Sequence, residues 1–488
     1  MSLSFRLRKV SLLLSGCAVA VCSCRPAPPG EAGPDSAPPV IVVITVDTLR
    51  ADHLSSYGYP RPTSPRIDEL AAEGVLFERA FSTMATTLPS HLSLFSGVYP
   101  HQHGVTRNTR QMRAFSADSG RLLSAAEVLR QSGYLTAAFV SAAPVKGVTG
   151  IDSGFDHFDE PRGTARRGSA TVSSALAWLD VHRGEQFFVW IHLWDPHEPN
   201  LGRRSLPENP SDDALLDRII DQRHIDVDAL SRRFAPPALR RFLAPGTGER
   251  GDPAPELTRA SARGMLDRYD GDVAYTDAAV GKFLDGLRGA GLWQRAIVVL
   301  TADHGQSLGQ HDWLPHGTIT NDNIHVPLIV RFPPGLREQP RRVSRIVSTV
   351  DVMPTLLAPL GNLGSARFLA QAEGEDLFSG EEPRGYAFAQ RTSRVRSGWE
   401  PGSVFALVTD RWKYLLRTDA PDRLYDLQAD PGELEDTSAR HPEVAAQLRQ
   451  KVLEITRRGV APEPSLSEEE LVGEDHLEAL RALGYLDP

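Results

Sequence analysis

Thiols are almost absent from this chain. Only three cysteines occur in 488 residues, and all lie near the start, at Cys17, Cys22 and Cys24. No disulfide and no cysteine-based metal site can form in the body that follows, so a packed core must stabilise it. Basic character is missing too: Lys and Arg number 53 against 62 Asp and Glu, a net charge of -9. With no basic block interleaved with aromatics, that balance excludes a nucleic-acid partner. Aromatic residues are sparse, at 7%, while 41% hydrophobic and 24% charged residues describe an ordinary globular composition. No internal repeat stands out.

What is present begins with a leader. "MSLSFRLRKV" carries Arg6, Arg8 and Lys9, and the "SLLLSGCAVAVCSC" that follows is apolar and small. The stretch is too short for a bilayer span and fits an export signal over residues 1–24. "LSGC", Leu14 to Cys17, resembles a bacterial lipobox, and Cys24 offers a more usual apolar length after a poorer triplet. Lipidation at Cys17 or Cys24 and a lipid-anchored place in the bacterial cell envelope are expected. Residues 25–39, rich in Pro and Gly, read as a tether.

Apolar β-branched runs then recur: "VIVVITV" (Val40 to Val46), "AAFVSA" (Ala137 to Ala142), "FFVWIHLW" (Phe187 to Trp194), "AIVVLTA" (Ala296 to Ala302) and "VPLIVRF" (Val326 to Phe332). Amphipathic stretches ending near glycine lie between them, as in "SPRIDELAAEGV" and "DAAVGKFLDGLRGAG". Buried strands alternating with helices predict an α/β fold on a mostly parallel sheet. The catalytic domain is expected over 40–365, with a polar insertion or cap at 200–262. A small α+β C-terminal subdomain is expected over 366–488.

In such sheets ligands collect beyond the carboxyl ends of the strands. Asp47 follows the first run, Asp303 and His304 follow the run at Ala296, and His192, Asp195 and His197 cluster at the run that starts at Phe187. Carboxylates and imidazoles converging there suit a divalent cation, Zn²⁺ or Mn²⁺ before Ca²⁺. Asp195 and nearby histidines offer at most a partial second site. In "TTLPSHLSLFSG", Thr87 stands just ahead of a helix-like run. It is either the cap of a helix starting near Pro89, a task Ser90 could share, or a nucleophile activated by the cation beside an anion-binding helix N-terminus.

These segments resemble the sulfatase family, within the alkaline phosphatase superfamily. The likeness runs from "VIVVITVDTLRADHLSSYGYPRPTSPRIDELAAEGVLFERAFS" through "LPSHLSLFSGVYPHQHGV", "HLWDPHEP", "RYDGDVAYTDAAVGKFLDGL", "LTADHGQSLGQHDWLPHGTITNDNIHVPLIVR" and "DVMPTLLAPLG". The tail "DRWKYLLR...RLYDLQADPGELEDT" resembles the family's C-terminal subdomain. The resemblance implies an alkaline-phosphatase-like sheet flanked by helices. It implies Asp47, Asp303 and His304 as metal ligands and Thr87 at the nucleophile position. It also places His197 and His316 on the ester or its leaving group and Asn108 near the substrate.

The chain departs from the family at telling places. Formylglycine-type sulfatases carry Cys or Ser, any residue, Pro, Ser, Arg where this chain carries "TLPSH". Thr87 cannot become formylglycine, and His91 stands in place of the supporting Arg. Thr48 replaces the second Asp of the usual pair, and Asp303-His304 replaces Asp-Asn. The segment that supplies a Lys and a His in many relatives corresponds roughly to "AAFVSAA". A threonine has one hydroxyl, so its covalent ester must be opened by attack at phosphorus or sulfur, which favours phosphoester chemistry. The expected activity is a metal-dependent hydrolase of anionic esters without formylglycine. Sulfuric ester hydrolysis in the family's usual sense, phosphoethanolamine- or phosphoglycerol-type transfer to an envelope glycan or lipid, and an inactive glycan- or lipid-binding protein are the alternatives.

Overall fold

The computed structural model describes residues 38–108, 122–197, 210–234, 258–314, 316–337, 341–361, 363–392, 403–458 and 474–482. Cys17, Cys24 and most of the expected tether lie outside the described residues. Val40–Val46 (β1) is buried at every position, as a continuous β-branched run in a sheet covered on both faces must be. Each such Val or Ile contributes about 1.5–3 kcal/mol by leaving water.

Seven further strands join it: Val75–Phe81 (β2), Leu135–Phe139 (β3), His157–Asp159 (β4), Phe187–Leu193 (β5), Ala296–Ala302 (β6), His325–Arg331 (β7) and Arg342–Ser348 (β8). Their spatial order is β4-β3-β5-β1-β6-β7-β2-β8. All neighbours pair in parallel except at β7, which runs against both β6 and β2. Helices flank this sheet, and the α/β fold class expected from the sequence is the one observed. The second run ends as a strand at Phe139, three residues short of Ala142, and the run expected at Val326–Phe332 is β7, one residue earlier.

A second sheet, antiparallel in the order β12-β11-β10-β9, is made of Ala387–Arg391 (β9), Val404–Val408 (β10), Trp412–Arg417 (β11) and Arg423–Asp426 (β12). Val452 and Ile455 of the helix Pro442–Arg457 close its core with Phe388, Leu407, Tyr414 and Leu424. A buried Lys413–Glu433 ion pair ties this sheet to the main one. Lys413 Nζ donates to Asn321 Oδ1 at 3.0 Å, and Glu433 Oε2 accepts from the Asn321 amide at 2.7 Å, just ahead of β7.

Between 200 and 262 the described residues include the helices Pro210–Gln222 and Val227–Arg233. Among the described residues no helix is long and apolar enough to cross a membrane.

Candidate active site

Strand register brings the acidic residues together. Val46 pairs with Ala302 on one side and with Leu193 on the other. Asp47 and Asp303 therefore leave adjacent parallel strands at the same level, with His192, opposite Thr45, two residues below on β5. Asp47, Asp303 and His304 each offer one ligand atom, all within 4.8 Å of one another, and all three are buried.

Hydrogen bonding decides which atoms face the cluster. Asp303 Oδ1 accepts from the backbone N–H of Thr48 at 3.2 Å and of His304 at 2.8 Å. Among the described residues its Oδ2 has no hydrogen-bond partner, nor do Asp47 Oδ1, His304 Nε2 and His192 Nε2. Three of these, Asp303 Oδ2, Asp47 Oδ1 and His304 Nε2, are unpaired buried acceptors around one point, which is costly unless a cation completes them. Burial pushes the Asp47 and Asp303 carboxyls well above the usual range, and for Asp303 the Asp47 charge adds to it. Burial likewise drives His304 well below its ordinary value and His192 down to about 3, keeping both rings neutral. Two carboxylates and a neutral imidazole fit a divalent cation.

Thr87 belongs to the helix Thr87–Ser96, which starts two residues earlier than expected, with Thr86 as its N-cap. The cap reading of Thr87 is thereby corrected: it sits inside the first turn, and Thr86 makes no side-chain cap bond. Ser90 does not cap either, since its hydroxyl donates to the Thr86 and Thr87 carbonyls. Thr87 Oγ1 is fully buried and lies 3.4 Å from Asp47 Oδ2.

His91 holds that first turn. Its Nδ1 lies 2.8 Å from the Thr87 carbonyl, so Nδ1 carries the proton. Its Nε2 then accepts from Thr45 Oγ1 at 2.9 Å, while Thr45 Oγ1 accepts from the Trp190 indole at 2.9 Å. Burial and the neighbouring His192 push its pKa well down, so a neutral donor occupies the place at which the sequence resemblance marks His91 as standing for a cationic Arg.

Asn108 lies beside the same turn. Its Oδ1 accepts the Leu88 N–H at 2.9 Å, which fixes the amide's orientation, and its buried Nδ2 has no hydrogen-bond partner among the described residues. His197 and His316 meet at 3.1 Å between Nε2 atoms. His316 Nδ1 faces the Ala85 carbonyl at 3.2 Å, so His316 Nε2 is the acceptor and His197 Nε2–H the donor. The His316 ring is 4.5 Å from that of His304, and His197 stacks on Trp194 at 3.6 Å.

Asp195 is drawn elsewhere. Its Oδ2 accepts the Gly168 N–H at 2.9 Å, at the start of the helix Gly168–His182. Among the described residues Asp47, Asp303 and His304 are the one metal-type cluster, without Asp195. The Thr48 hydroxyl does not face the cluster either: it donates to the Asp47 carbonyl at 2.7 Å.

One participant had no sequence signal. Thr48 has a left-handed backbone, φ 56°, which costs a β-branched residue free energy. Tyr269 OH offsets it by donating to the Thr48 carbonyl at 2.7 Å and accepting from the Arg50 N–H at 3.0 Å. Tyr269 lies in the quoted "RYDGDVAYTDAAVGK" run, but its spacing alone marks only a buried helix face.

The family profile described as Sulfatase matches residues 39–362. Arylsulfatase K of Gallus gallus is 32% identical over 205 residues, 40% of this chain and 37% of that protein. The chain thus spans well under half of that relative's length. The ulvan-active sulfatase of Formosa agariphila is 24% identical over 413 residues, covering 80% of this chain and 76% of its own. Among solved structures, the phosphonate monoester hydrolase of Agrobacterium radiobacter superposes with a TM-score of 0.65 at 23% identity, over 89% of this chain and 99% of its own.

Proposed function

Because the chain belongs to the sulfatase family of the alkaline phosphatase superfamily, whose members are metal-dependent ester hydrolases, we propose that it cleaves anionic esters with Thr87 as nucleophile. We further propose that it prefers phosphorus esters to sulfate esters. The observation that carries this reading is the buried Thr87 hydroxyl, 3.4 Å from Asp47 Oδ2 at the start of a helix beside the acidic cluster.

Asp47, Asp303 and His304 would hold the divalent ion, with Zn²⁺ or Mn²⁺ suiting the mixed oxygen and nitrogen donors better than Ca²⁺. When bound, such an ion supplies Lewis acidity that lowers the pKa of a neighbouring hydroxyl and balances an anionic ester. Thr87 Oγ1 attacks phosphorus, its proton passing to the Asp47 Oδ2 it faces, and the ester oxygen departs. The His197–His316 pair protonates that oxygen, and Asn108 Nδ2 donates to a non-bridging oxygen as charge builds. Water then opens the phosphothreonine ester by a second attack at phosphorus, with no formylglycine required.

Phosphorus is favoured because a threonine ester offers no second hydroxyl through which sulfate could be eliminated. The superposition on a phosphonate monoester hydrolase speaks for the fold alone. Sulfate ester hydrolysis remains the second reading, supported by the sulfatase names of the sequence relatives. The leader and its cysteines support an exported, lipid-anchored enzyme working on an envelope glycan or lipid ester, without nucleic acid.

A panel of aryl phosphate monoesters, diesters, phosphonates and sulfates, run with metal-loaded protein, tests the preference. Faster turnover of phosphorus esters, abolished by Thr87→Ala, is expected. A dominant sulfatase activity would reverse the preference, and a product formed only with an added alcohol acceptor would make the enzyme a transferase.

A further inference from the structure

Two imidazoles flank the Asp47 carboxylate, and their hydrogen bonds fix them in opposite tautomers. His304 Nδ1 faces the Gly305 carbonyl at 2.9 Å. A carbonyl only accepts, so Nδ1 carries the proton and Nε2 keeps its lone pair, as a metal-binding histidine requires. That Nε2 lies 3.4 Å from Asp303 Oδ2 and 4.0 Å from Asp47 Oδ1.

His192 is arranged the other way. The backbone N–H of Ser141 points at its Nδ1 at 3.4 Å. An N–H only donates, so Nδ1 holds the lone pair and Nε2 carries the ring's one proton. This Nε2–H is 3.5 Å from Asp47 Oδ2. The ring is fully buried, and Nε2 has no hydrogen-bond partner among the described residues. Its walls leave it little freedom: Thr45 sits beside it in the strand register, and the His91 and Trp190 rings lie 5.2 and 6.2 Å away.

We propose that His192 is a positioning residue and not a metal ligand: its Nε2–H faces Asp47 Oδ2, so Asp47 gives Oδ1 alone to the cation and keeps Oδ2 for Thr87. The assignment rests on the metal and nucleophile roles proposed above. It adds what separates the two oxygens of one carboxylate: Oδ1 faces an electron-pair donor, and Oδ2 faces a proton donor and the attacking hydroxyl. A residue that a ligand count would add to the coordination sphere is thereby removed from it.

Pulsed EPR of the full chain loaded with one equivalent of Cu²⁺ counts the coordinated imidazoles directly. One imidazole is expected, from His304. Two would overturn the assignment while leaving the metal site standing, and no stoichiometric binding would overturn both. Substitution gives a second, independent test. In His192→Phe, kcat for an aryl phosphate should fall by about ten- to a hundredfold, with KM nearly unchanged and one metal still bound per chain. His192→Gln, whose amide N–H can take the same place, should recover most of the loss. Wild-type kcat in His192→Phe would contradict the proposal.

Discussion

Thr87 Oγ1 lies 3.4 Å from Asp47 Oδ2, although 40 residues separate the two in the chain. A cap needs no carboxylate at its hydroxyl, and Thr86 already occupies the cap position. Thr87→Ala should lower turnover by roughly a thousandfold or more, with metal content unchanged by elemental analysis. Thr87→Ser should keep measurable activity, since it retains the attacking oxygen. Full activity in the alanine variant would remove Thr87 from the chemistry.

Asn108 separates a structural role from a binding one within a single side chain. Its Oδ1 holds the Leu88 N–H, while its buried Nδ2 has no hydrogen-bond partner among the described residues. Asn108→Asp keeps the acceptor and deletes the donor, so folding should survive while kcat/KM for an anionic ester falls by about a hundredfold. Asn108→Ala should lose less activity, because it adds no negative charge, and should be the less stable of the two. Equal activity of Asn108→Asp and wild type would exclude the contact.

The His197–His316 pair is testable through the leaving group. If it delivers the proton to the departing oxygen, His197→Ala should slow phenyl and alkyl esters strongly and a dinitrophenyl ester little. The dependence of log kcat/KM on leaving-group pKa should steepen in the variant. An unchanged slope would leave the pair a binding role only.

Acid stability has a separate origin. His53 is buried, with Nδ1 2.7 Å from Asp270 Oδ1 and Nε2 against Arg223. Burial first, and then the Arg223 charge, lower its pKa from 6.5 to about 4. The folded state therefore binds fewer protons than the unfolded chain in that window. The stabilising contribution is whole above the unfolded value and is lost as pH falls towards about 4. His53→Gln should cost about 1–3 kcal/mol at neutral pH, and its gap to wild type should shrink on acidification. Urea melts at stepped pH read both, and a gap independent of pH would refute the assignment.

Much of this was legible in the residues because the fold obeys simple periods. The run Val40–Val46 has one outcome, a strand buried on both faces, and Asp47 at its tip follows from that. Asp303 and His304 were legible for the same reason. The start of the helix at Thr87 was not, because Pro89 marks a first turn without saying which of its residues begins it. Asp195 looked like a ligand by position, yet it bonds a glycine N–H that only the chain path brings near. Tyr269 and the opposite tautomers of His192 and His304 depend on contacts across long sequence separations, which no local pattern encodes.

The most direct test is intact and peptide mass spectrometry of metal-loaded protein, acid-quenched during turnover of an aryl phosphate. A phosphoryl group on the peptide bearing Thr87, absent from Thr87→Ala, is the predicted result. An unmodified Thr87 throughout turnover, or a sulfate on it from aryl sulfate with no phosphoryl counterpart, would contradict the account.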